Sequence, residues 1–244
     1  MISVCMATYN GERFIKEQID SILPQLSQDD ELIISDDGST DRTLEIIDSY
    51  KDERIKLFHH QKKGNKYYPT LGLCYSTSNF ENALVQAKGD YIFLSDQDDI
   101  WEKAKVKECM KLLEKYDFVI HNLSFVDENG NTIKEKYYLN QPLKFSVCQD
   151  IYNLSFWGCC SCFRKSILDL ALPIPEKIAQ HDSWIALVAE KFGNCFWDKN
   201  CLIKHRIFDS NTSTGGRKSK NSFFFKIRYR LNMLFELSKI KGDK

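Results

Sequence analysis

The stretch from Lys88 to Trp101, KGDYIFLSDQDDIW, joins a strand candidate to an acidic loop. Residues 90–95 form an apolar run of strand length, and Asp96-Gln97-Asp98-Asp99 follows it directly. The segment 103–116 then carries apolar residues at helical spacing. A polar cluster between a buried strand and a helix is typical of the ligand-binding edge of an α/β sheet.

The rest of the first half alternates between strand and helix periods in the same way. We predict strands at 2–7, 31–35 and 54–59 and helices at 11–26, 40–50 and 78–88. Asn10 is the expected N-cap of the first helix, and Ser39 or Thr40 that of the second. This alternation predicts an α/β fold with a Rossmann-like, mostly parallel sheet flanked by helices.

The second half is less periodic. Strands are predicted at 117–121, 156–163 and 195–203, and helices at 165–172 and 181–192. Residues 209–222 are rich in Ser, Thr, Gly, Lys and Asn, which favours a loop.

The C-terminal segment differs in charge from the rest of the chain. Net charge is zero overall, but residues 217–244 carry nine Lys/Arg and two acids, so residues 1–216 are acidic. Within 223–240 a helix would place one apolar stripe on its surface, made of Phe223, Phe224, Ile227, Leu231, Leu234, Phe235 and the small Ser238. Such a basic amphipathic helix suits an anionic bilayer, or else it docks on the protein or on a partner subunit.

The acidic run at 96–99 predicts a cation site. Three carboxylates within four residues repel one another, and a divalent cation such as Mn²⁺ or Mg²⁺ relieves that conflict. The alternative is a solvated turn whose last Asp caps the helix that follows. The position of the run directly after an apolar strand favours the cation site.

Two further polar clusters are site candidates. Asp36 and Asp37 exceed what one helix cap needs, and a carboxylate there can accept the imide N–H of a uracil or thymine ring. His181-Asp182 precedes a helix, where Asp182 is either an N-cap or a general base toward a hydroxyl.

Several nucleotide-binding chemistries are excluded by motif. The chain has neither a G-x-x-x-x-G-K-[ST] phosphate loop nor G-x-G-x-x-G after the first strand. A nucleotidyltransferase would need a Gly- and Arg/Lys-rich triphosphate loop right after the first strand, and residues 8–13 offer little of it. A metal phosphohydrolase would need a nucleophile or bridging ligands beside the acidic run. No nucleic-acid partner is expected.

The cysteines and the N-terminal residues favour a cytoplasmic protein. Nine cysteines, an odd number, lie mostly in apolar runs, which is typical of reduced thiols. The C-x-x-C at 159–162 lacks a second close pair, so packing beside a site is favoured over a zinc or redox role. We find no apolar run long enough to span a membrane and no secretory signal, so we expect a cytoplasmic location, with peripheral attachment to the inner face of the cell membrane as an option.

Three motifs together resemble the family 2 glycosyltransferases, which have the nucleotide-sugar-binding GT-A fold. They are Ala7–Gly11 (ATYNG), Glu31–Thr43 (ELIISDDGSTDRT) and Lys88–Trp101. The later segments Gly158–Arg164 (GCCSCFR) and His181–Trp184 (HDSW) are most similar to the rhamnosyltransferase-type branch, which builds bacterial surface polysaccharides.

The resemblance implies roles for individual residues. Asp182 matches the catalytic base and Asp98 the metal ligand. The nucleotide-binding residues it implies are Thr8, Tyr9, Asn10, Asp37, Gly38, Asp96 and Gln97. The residues it implies on the acceptor or phosphate side are Trp101, Asp99, His181, Trp184 and Arg206.

The resemblance also implies a division of the domain, and the chain departs from the branch's pattern at one position. Residues 1–122 would form the nucleotide-sugar half and 123–215 the acceptor half of one GT-A domain, with 216–244 as the basic amphipathic tail. The branch usually continues Tyr-Arg-x-His-x-x-Asn, whereas this chain has HRIFDSN at 205–211, with Phe208 at the His position. His205 or Arg206 is the expected substitute for that contact.

The expected function is therefore inverting, metal-dependent sugar transfer. The donor would be a nucleoside-diphosphate sugar (dTDP-rhamnose or a UDP-hexose), and the acceptor a hydroxyl of a growing, lipid-linked cell-surface polysaccharide. The alternative is a non-catalytic nucleotide-sugar-binding or glycan-binding scaffold of a glycosyltransferase complex.

Overall fold

The computed structural model describes residues 1–62, 65–68, 73–137, 145–153, 156–208 and 222–241. The predicted loop at 209–222 lies almost entirely outside these ranges. The strands are β1 (Ile2–Thr8), β2 (Glu31–Asp36), β3 (Ile55–His59), β4 (Tyr91–Ser95), β5 (Ile100–Trp101), β6 (Phe118–Val126), β7 (Thr132–Lys134), β8 (Ser161–Arg164) and β9 (Cys195–Arg206). The helices are α1 (Ile15–Ile22), α2 (Thr43–Ser49), α3 (Leu73–Leu84), α4 (Lys105–Leu113), α5 (Val147–Asn153), α6 (Lys165–Ala171), α7 (His181–Phe192) and α8 (Phe223–Lys239).

The strands form one mixed sheet in the order β3-β2-β1-β4-β8-β6-β9-β5, with β7 paired to β6. The first four strands of this order are parallel, as predicted. β8 then lies antiparallel between β4 and β6, and β6 pairs in parallel with the long β9. The boundary expected between residues 122 and 123 falls inside β6, because the sheet continues through both halves.

Helices cover both faces of the sheet. Along β1, Val4 and Met6 pack against α1, α2 and α4, while Cys5 faces the layer formed by α3, α6, α7 and α8. Successive side chains of a strand point to opposite faces, so one buried strand supplies both cores. This two-sided burial explains why the strands read as continuous apolar runs.

Two predicted helix caps are wrong. α1 begins at Ile15, and Asn10 instead adopts a φ of 48° while its Oδ1 accepts a hydrogen bond from Thr40 N at 2.8 Å. α2 begins at Thr43, whose N–H donates to Asp41 Oδ1 at 3.0 Å, so neither Ser39 nor Thr40 caps it. In both places the polar side chain joins two loops rather than a helix end.

Within the described ranges, no helix has the length and apolar character needed to cross a bilayer.

Candidate active site

The polar clusters meet at one edge of the sheet, as predicted. Thr8 at the end of β1 is in register with Asp36 at the end of β2, and Met6 with Ser95 at the end of β4. Asn79 of α3 holds this edge together, because its Nδ2 donates to Thr8 O at 3.1 Å and its Oδ1 accepts from Ser35 Oγ at 2.6 Å. The carboxyl ends of three parallel strands therefore open into one cleft, where α/β proteins bind ligands.

Gln97 connects the acidic loop to the loop after β1. Its Oε1 accepts from Thr8 Oγ1 at 2.5 Å and from Tyr9 N at 2.9 Å, and its Nε2 donates to Tyr9 O at 3.1 Å. A Cβ added at Gly11 would lie 2.5 Å from Gln97 Oε1. Thr8, Tyr9 and Gln97 are thus brought together, with the Gln97 amide committed to joining the two loops.

The two carboxylates of the turn after β2 make different contacts. Asp36 is buried, and its Oδ1 accepts from Gly38 N at 3.0 Å and Ser39 N at 2.8 Å, which shapes a turn in which Gly38 has a φ of 82°. Only glycine adopts that φ without strain. Asp37 is left for the cleft, with its Oδ1 2.9 Å from His60 Nδ1. His60, directly after β3, was not foreseen from the sequence.

Four side chains form a group suited to a cation. One ligand atom from each of Asp96, Asp99, Cys159 and His205 lies within 4.8 Å of the others. His205 Nδ1 is 2.7 Å from Asp99 Oδ1, whereas Asp99 Oδ2 and His205 Nε2 are buried without a hydrogen-bond partner in the described part of the chain. Buried polar atoms are normally satisfied, and a divalent cation would satisfy these two, so the residues present fit such an ion.

The pKa values of the acidic residues also indicate that this group suits a cation. Burial raises the pKa of Asp96 to about 7 and that of Asp98 to about 8, and the negative charge of Asp99 adds to both shifts. Burial opposes the shift at His205, but the charge of Asp99 and the contact with it raise the His205 pKa to about 9. Carboxylates that hold their protons this tightly are short of positive charge.

The predicted metal ligand Asp98 is not a member of this four-residue group. Its carboxyl is close enough to respond to the charges of Asp96 and Asp99, so its metal role stays a prediction. Cys159 lies in the group itself, so one thiol of the C-x-x-C is a candidate metal ligand, although packing without a metal role was expected for this motif. All nine cysteines are free.

His205, and not Phe208, lies beside the acidic group. Phe208 packs on Phe14, with ring centroids 5.1 Å apart, and His205 approaches the acidic group from the end of β9. Of the two expected substitutes, His205 rather than the Arg206 guanidinium lies beside the carboxylates.

Arg206, expected on the acceptor or phosphate side, is a buried structural clamp. Its Nε donates to Asp98 O at 3.1 Å, its Nη1 to Glu128 O at 2.7 Å, and its Nη2 to Glu17 Oε2 at 2.6 Å. Its side chain is 2% exposed, so the guanidinium fixes the acidic loop to two other segments.

Asp182 lies at the first turn of α7, beside the tight turn at 158–160. A Cβ at Gly158 would lie 3.2 Å from Asp182 Cβ, so glycine permits the close approach. Burial raises the pKa of Asp182 to about 6, although hydrogen bonds from the Ser183 and Gly158 N–H groups lower it. Cys159, the residue after Gly158, belongs to the four-residue group, so Asp182 approaches that group across this turn.

His181 lies on the same side of that turn. Burial lowers the pKa of its imidazole to about 3, so the ring is neutral, and it stacks on Phe80 with centroids 4.0 Å apart. Its Nε2 is buried without a hydrogen-bond partner among the described residues, which leaves one nitrogen for a ligand.

Two tryptophans expected on the acceptor side belong to the core instead. Trp101 is 3% exposed and packs on Phe93, and Trp184 is 1% exposed with its Nε1 donating to Ala171 O at 2.8 Å. Both follow site residues in sequence, but helix and strand geometry turns them inward.

The buried Lys105 was also missed. Its Nζ donates to Cys159 O at 2.6 Å and lies 4.0 Å from the Trp101 ring, so it supports the turn between the acidic group and Asp182. A Lys in an apolar helix stripe was the only signal available from the sequence.

Comparison with known proteins identifies the class. The family model described as Glycosyl transferase family 2 matches residues 3–170, which is more than half of the chain. The chain therefore belongs to this family, and its fold is the GT-A fold that the motifs predicted.

Three proteins similar in sequence to this chain are named as glycosyltransferases. An uncharacterized glycosyltransferase of Haemophilus influenzae is 37% identical over 55% of this chain and 51% of its own length. The dTDP-rhamnosyl transferase RfbG of Shigella flexneri is 38% identical over 44% of this chain and 36% of its length. The putative teichuronic acid biosynthesis glycosyltransferase TuaG of Bacillus subtilis is 23% identical over 93% and 87%. The chain spans about half the length of the first of these.

Two solved structures share the fold. S. aureus TarS 1-349 in complex with UDP-GlcNAc superposes with a TM-score of 0.71 at 20% identity, covering 99% of this chain and 68% of TarS. The mannosyltransferase PcManGT of Pyrobaculum calidifontis, in complex with GDP-Man and Mn²⁺, gives 0.58 at 18% identity, covering 99% and 65%.

Proposed function

We propose that the chain transfers a sugar from a nucleoside-diphosphate sugar to a hydroxyl, with inversion at the anomeric carbon. The observation that carries the proposal is the position of Asp182 against the turn at 158–160, whose Cys159 belongs to the acidic group. Single-displacement transfer requires a base that can reach the acceptor hydroxyl on the face of the anomeric carbon opposite the leaving diphosphate.

Each half of the cleft has a task in this reaction. Asp37, Thr8 and the backbone at Tyr9, Asn10 and Gly38 are positioned for the nucleoside, and Asp96 for the ribose side. Asp182, once ionised, takes the proton from the acceptor hydroxyl as that oxygen attacks. The neutral His181 is positioned to orient the acceptor through Nε2.

Mn²⁺ or Mg²⁺ is the proposed cofactor. Asp96, Asp99 and His205 would hold it with Cys159 or Asp98, and once bound it would neutralise the departing diphosphate. Oxygen and imidazole ligands suit Mn²⁺, whereas the Cys159 thiol is unusual for Mg²⁺.

The donor and acceptor are proposed from the relatives. RfbG is named a dTDP-rhamnosyl transferase, and TarS was solved with UDP-GlcNAc, so dTDP-rhamnose or a UDP-hexose is the proposed donor. TuaG is named for teichuronic acid biosynthesis, which supports a cell-surface polysaccharide as acceptor. We place the reaction on the cytoplasmic side of the membrane, with a lipid-linked chain as acceptor.

A nucleotide-sugar panel tests this proposal. UDP-, dTDP-, GDP- and CMP-sugars are each added with Mn²⁺, and both the thermal shift and the slow hydrolysis of the donor are measured. We expect one donor to raise Tm and to be hydrolysed. Binding without hydrolysis or transfer would instead favour the non-catalytic scaffold.

A further inference from the structure

Helix α8 has an inner apolar face that joins it to the protein. Tyr229, Met233 and Leu237 are at most 5% exposed and belong to the same core as α7. Lys191 of α7 donates from Nζ to Leu237 O at 2.7 Å, which satisfies a carbonyl near the end of α8. The helix is therefore held in a defined rotation about its axis.

That rotation leaves a second apolar face outside. We call it the outer stripe; its members are Phe223 (72% exposed), Phe224 (81%), Ile227 (39%), Leu231 (59%), Leu234 (41%) and Phe235 (54%). These are the apolar residues that the sequence pattern placed on one stripe. A contiguous exposed patch of large apolar side chains marks an interaction site.

The charges around the outer stripe identify its partner. Residues 222–241 contain five basic residues and one acid, a net charge of +4. The acid, Glu236, is buried on the inner face and paired with Lys239 at 2.7 Å and Lys177 at 3.7 Å. The outer stripe is thus bordered by positive charge and carries no acid of its own.

Basic residues lie on both borders of the outer stripe. On one side Arg228 donates to Tyr67 O at 3.1 Å, and on the other Arg230 donates to Tyr152 O at 2.7 Å. These partners are neutral carbonyls, so the guanidinium charges are held in place but not cancelled. An apolar centre with cationic edges matches the acyl and headgroup layers of an anionic bilayer.

The outer stripe also lies near the helix that carries the proposed base. Tyr229, Met233 and Leu237 on the inner face of α8 belong to one core with residues of α7, and α7 begins at His181-Asp182. A surface in contact with the outer side of α8 would therefore lie one helix away from α7.

We infer that the outer stripe of α8 docks on an anionic lipid bilayer. This inference rests on the proposed function, for which it names the surface that brings a lipid-linked acceptor to Asp182. The acidic body, −7 over residues 1–216 against +7 in 217–244, would orient the molecule with α8 toward the lipid.

Vesicle flotation tests the inference. The full chain is mixed with phosphatidylcholine vesicles, with or without phosphatidylglycerol, at low and high salt. We expect flotation with the anionic vesicles that weakens as salt rises. The triple variant Phe224→Ser/Leu231→Ser/Leu234→Ser should lose at least about tenfold in partitioning, because three large apolar side chains no longer enter the acyl layer.

A matched variant controls for exposed apolar side chains elsewhere. Val85 and Ile133 are 54% and 59% exposed and lie outside α8, so Val85→Ser/Ile133→Ser should float like the wild type. All three substituted residues of the triple variant face outward, so its Tm should match that of the control.

Three results would overturn the inference. The first is equal binding of the wild type to neutral and anionic vesicles. The second is equal flotation of the triple variant and the wild type. The third is that the wild type is a dimer in solution and the triple variant is a monomer. Binding of UDP and of dTDP is measured on the same samples. Retained binding of either nucleotide without flotation removes the docking surface alone, whereas a wild type that binds neither nucleotide removes the proposed transfer.

Discussion

At the residue scale, the cleft is defined by carboxylates that burial keeps close to neutrality. The pKa values of Asp96, Asp98 and Asp182 are raised to about 7, 8 and 6, in each case first by burial. A cation and an acceptor hydroxyl are the two ligands that such a set can serve. The acceptor hydroxyl and the cation each lead to predictions that distinguish the role of Asp182 from those of Asp96 and Asp98.

Asp182→Asn should reduce transfer at least about a hundredfold, because general-base catalysis supplies ~10²–10⁴-fold. UDP binding should change by less than about twofold, since the shape of the side chain is kept. Turnover and UDP affinity are measured on the same preparation. Asp169→Asn, on an exposed α6 side chain, is the control and should behave as wild type. Full activity of Asp182→Asn would assign the base to another residue.

The pH profile should report the same carboxyl. Asp182 acts as a base only when ionised, so kcat/KM should rise with pH through about 6, the pKa of Asp182. A bound cation moves this midpoint down, because its charge favours the carboxylate. The residual activity of Asp182→Asn should lack this limb. A limb that persists in the variant would belong to another group.

Mn²⁺ binding should tighten as pH rises from 6 to 8. Asp96 and Asp98 must lose their protons, and so must His205, whose pKa is about 9. The expected gain is about tenfold or more, with protons released that calorimetry in two buffers detects. His205→Ala should weaken Mn²⁺ binding at both pH values. Asp98→Ala, measured in parallel, decides whether Asp98 is a ligand, because unchanged affinity would remove it from the site.

At the element scale, the contact between α5 and α7 contains a pair of like charges. Burial, followed by the charge of Asp150 on α5, raises the pKa of Glu190 on α7 to about 9. Both carboxylate oxygens of Glu190 are buried without a hydrogen-bond partner among the described residues. A folded-state pKa above the unfolded value means that the folded state holds the extra proton. Stability therefore falls as pH rises between the two values.

Glu190→Gln should flatten that dependence. Between pH 5 and 8 the wild type should lose about 1–2 kcal/mol more than the variant, a figure reduced for partial exposure. Urea unfolding at several pH values measures the difference. The exposed Glu114→Gln is the control and should follow the wild type. Parallel curves for Glu190→Gln and the wild type would contradict the pairing.

Elements with a clear period were predictable, and long-range pairings were not. The parallel strands, α4 and the polar strand ends follow from local patterns. The partnership of Asp99 with Cys159 and His205 depends on β8 and β9 joining the sheet, which no local pattern encodes. Asn10, Trp101 and Trp184 were misassigned because residue type shows that a side chain is polar or large, but not which way its element turns it.

At the scale of the whole molecule, the basic C-terminal segment is part of the core as well as a surface. Tyr229, Met233 and Leu237 pack with residues of α7. Of the two sequence-based interpretations of this helix, docking on the protein describes its inner face. Binding to an anionic bilayer stays a proposal for the outer stripe.

A chain that ends at Gly216 should therefore be less stable, not merely shorter. Three large buried side chains contribute ~1.5–3 kcal/mol each, so we expect a loss of about 5 kcal/mol or more. For a domain of this size that corresponds to a fall in Tm of about 10 °C or more. Calorimetry of the truncated and full-length chains measures it. Equal Tm values would show that α8 is not needed by the core.

The clamp made by Arg206 has a consequence for synthesis of the chain. His205 and Arg206 are the last two residues of β9, and together they contact Glu17, Asp98, Asp99 and Glu128. Closing such distant contacts is slow and late in folding. A nascent chain can complete β1 to β4 while still attached to the ribosome, but the group made of Asp96, Asp99, Cys159 and His205 assembles only after β9 has emerged. The proposed binding of a cation and of the donor's diphosphate would therefore be withheld until that point.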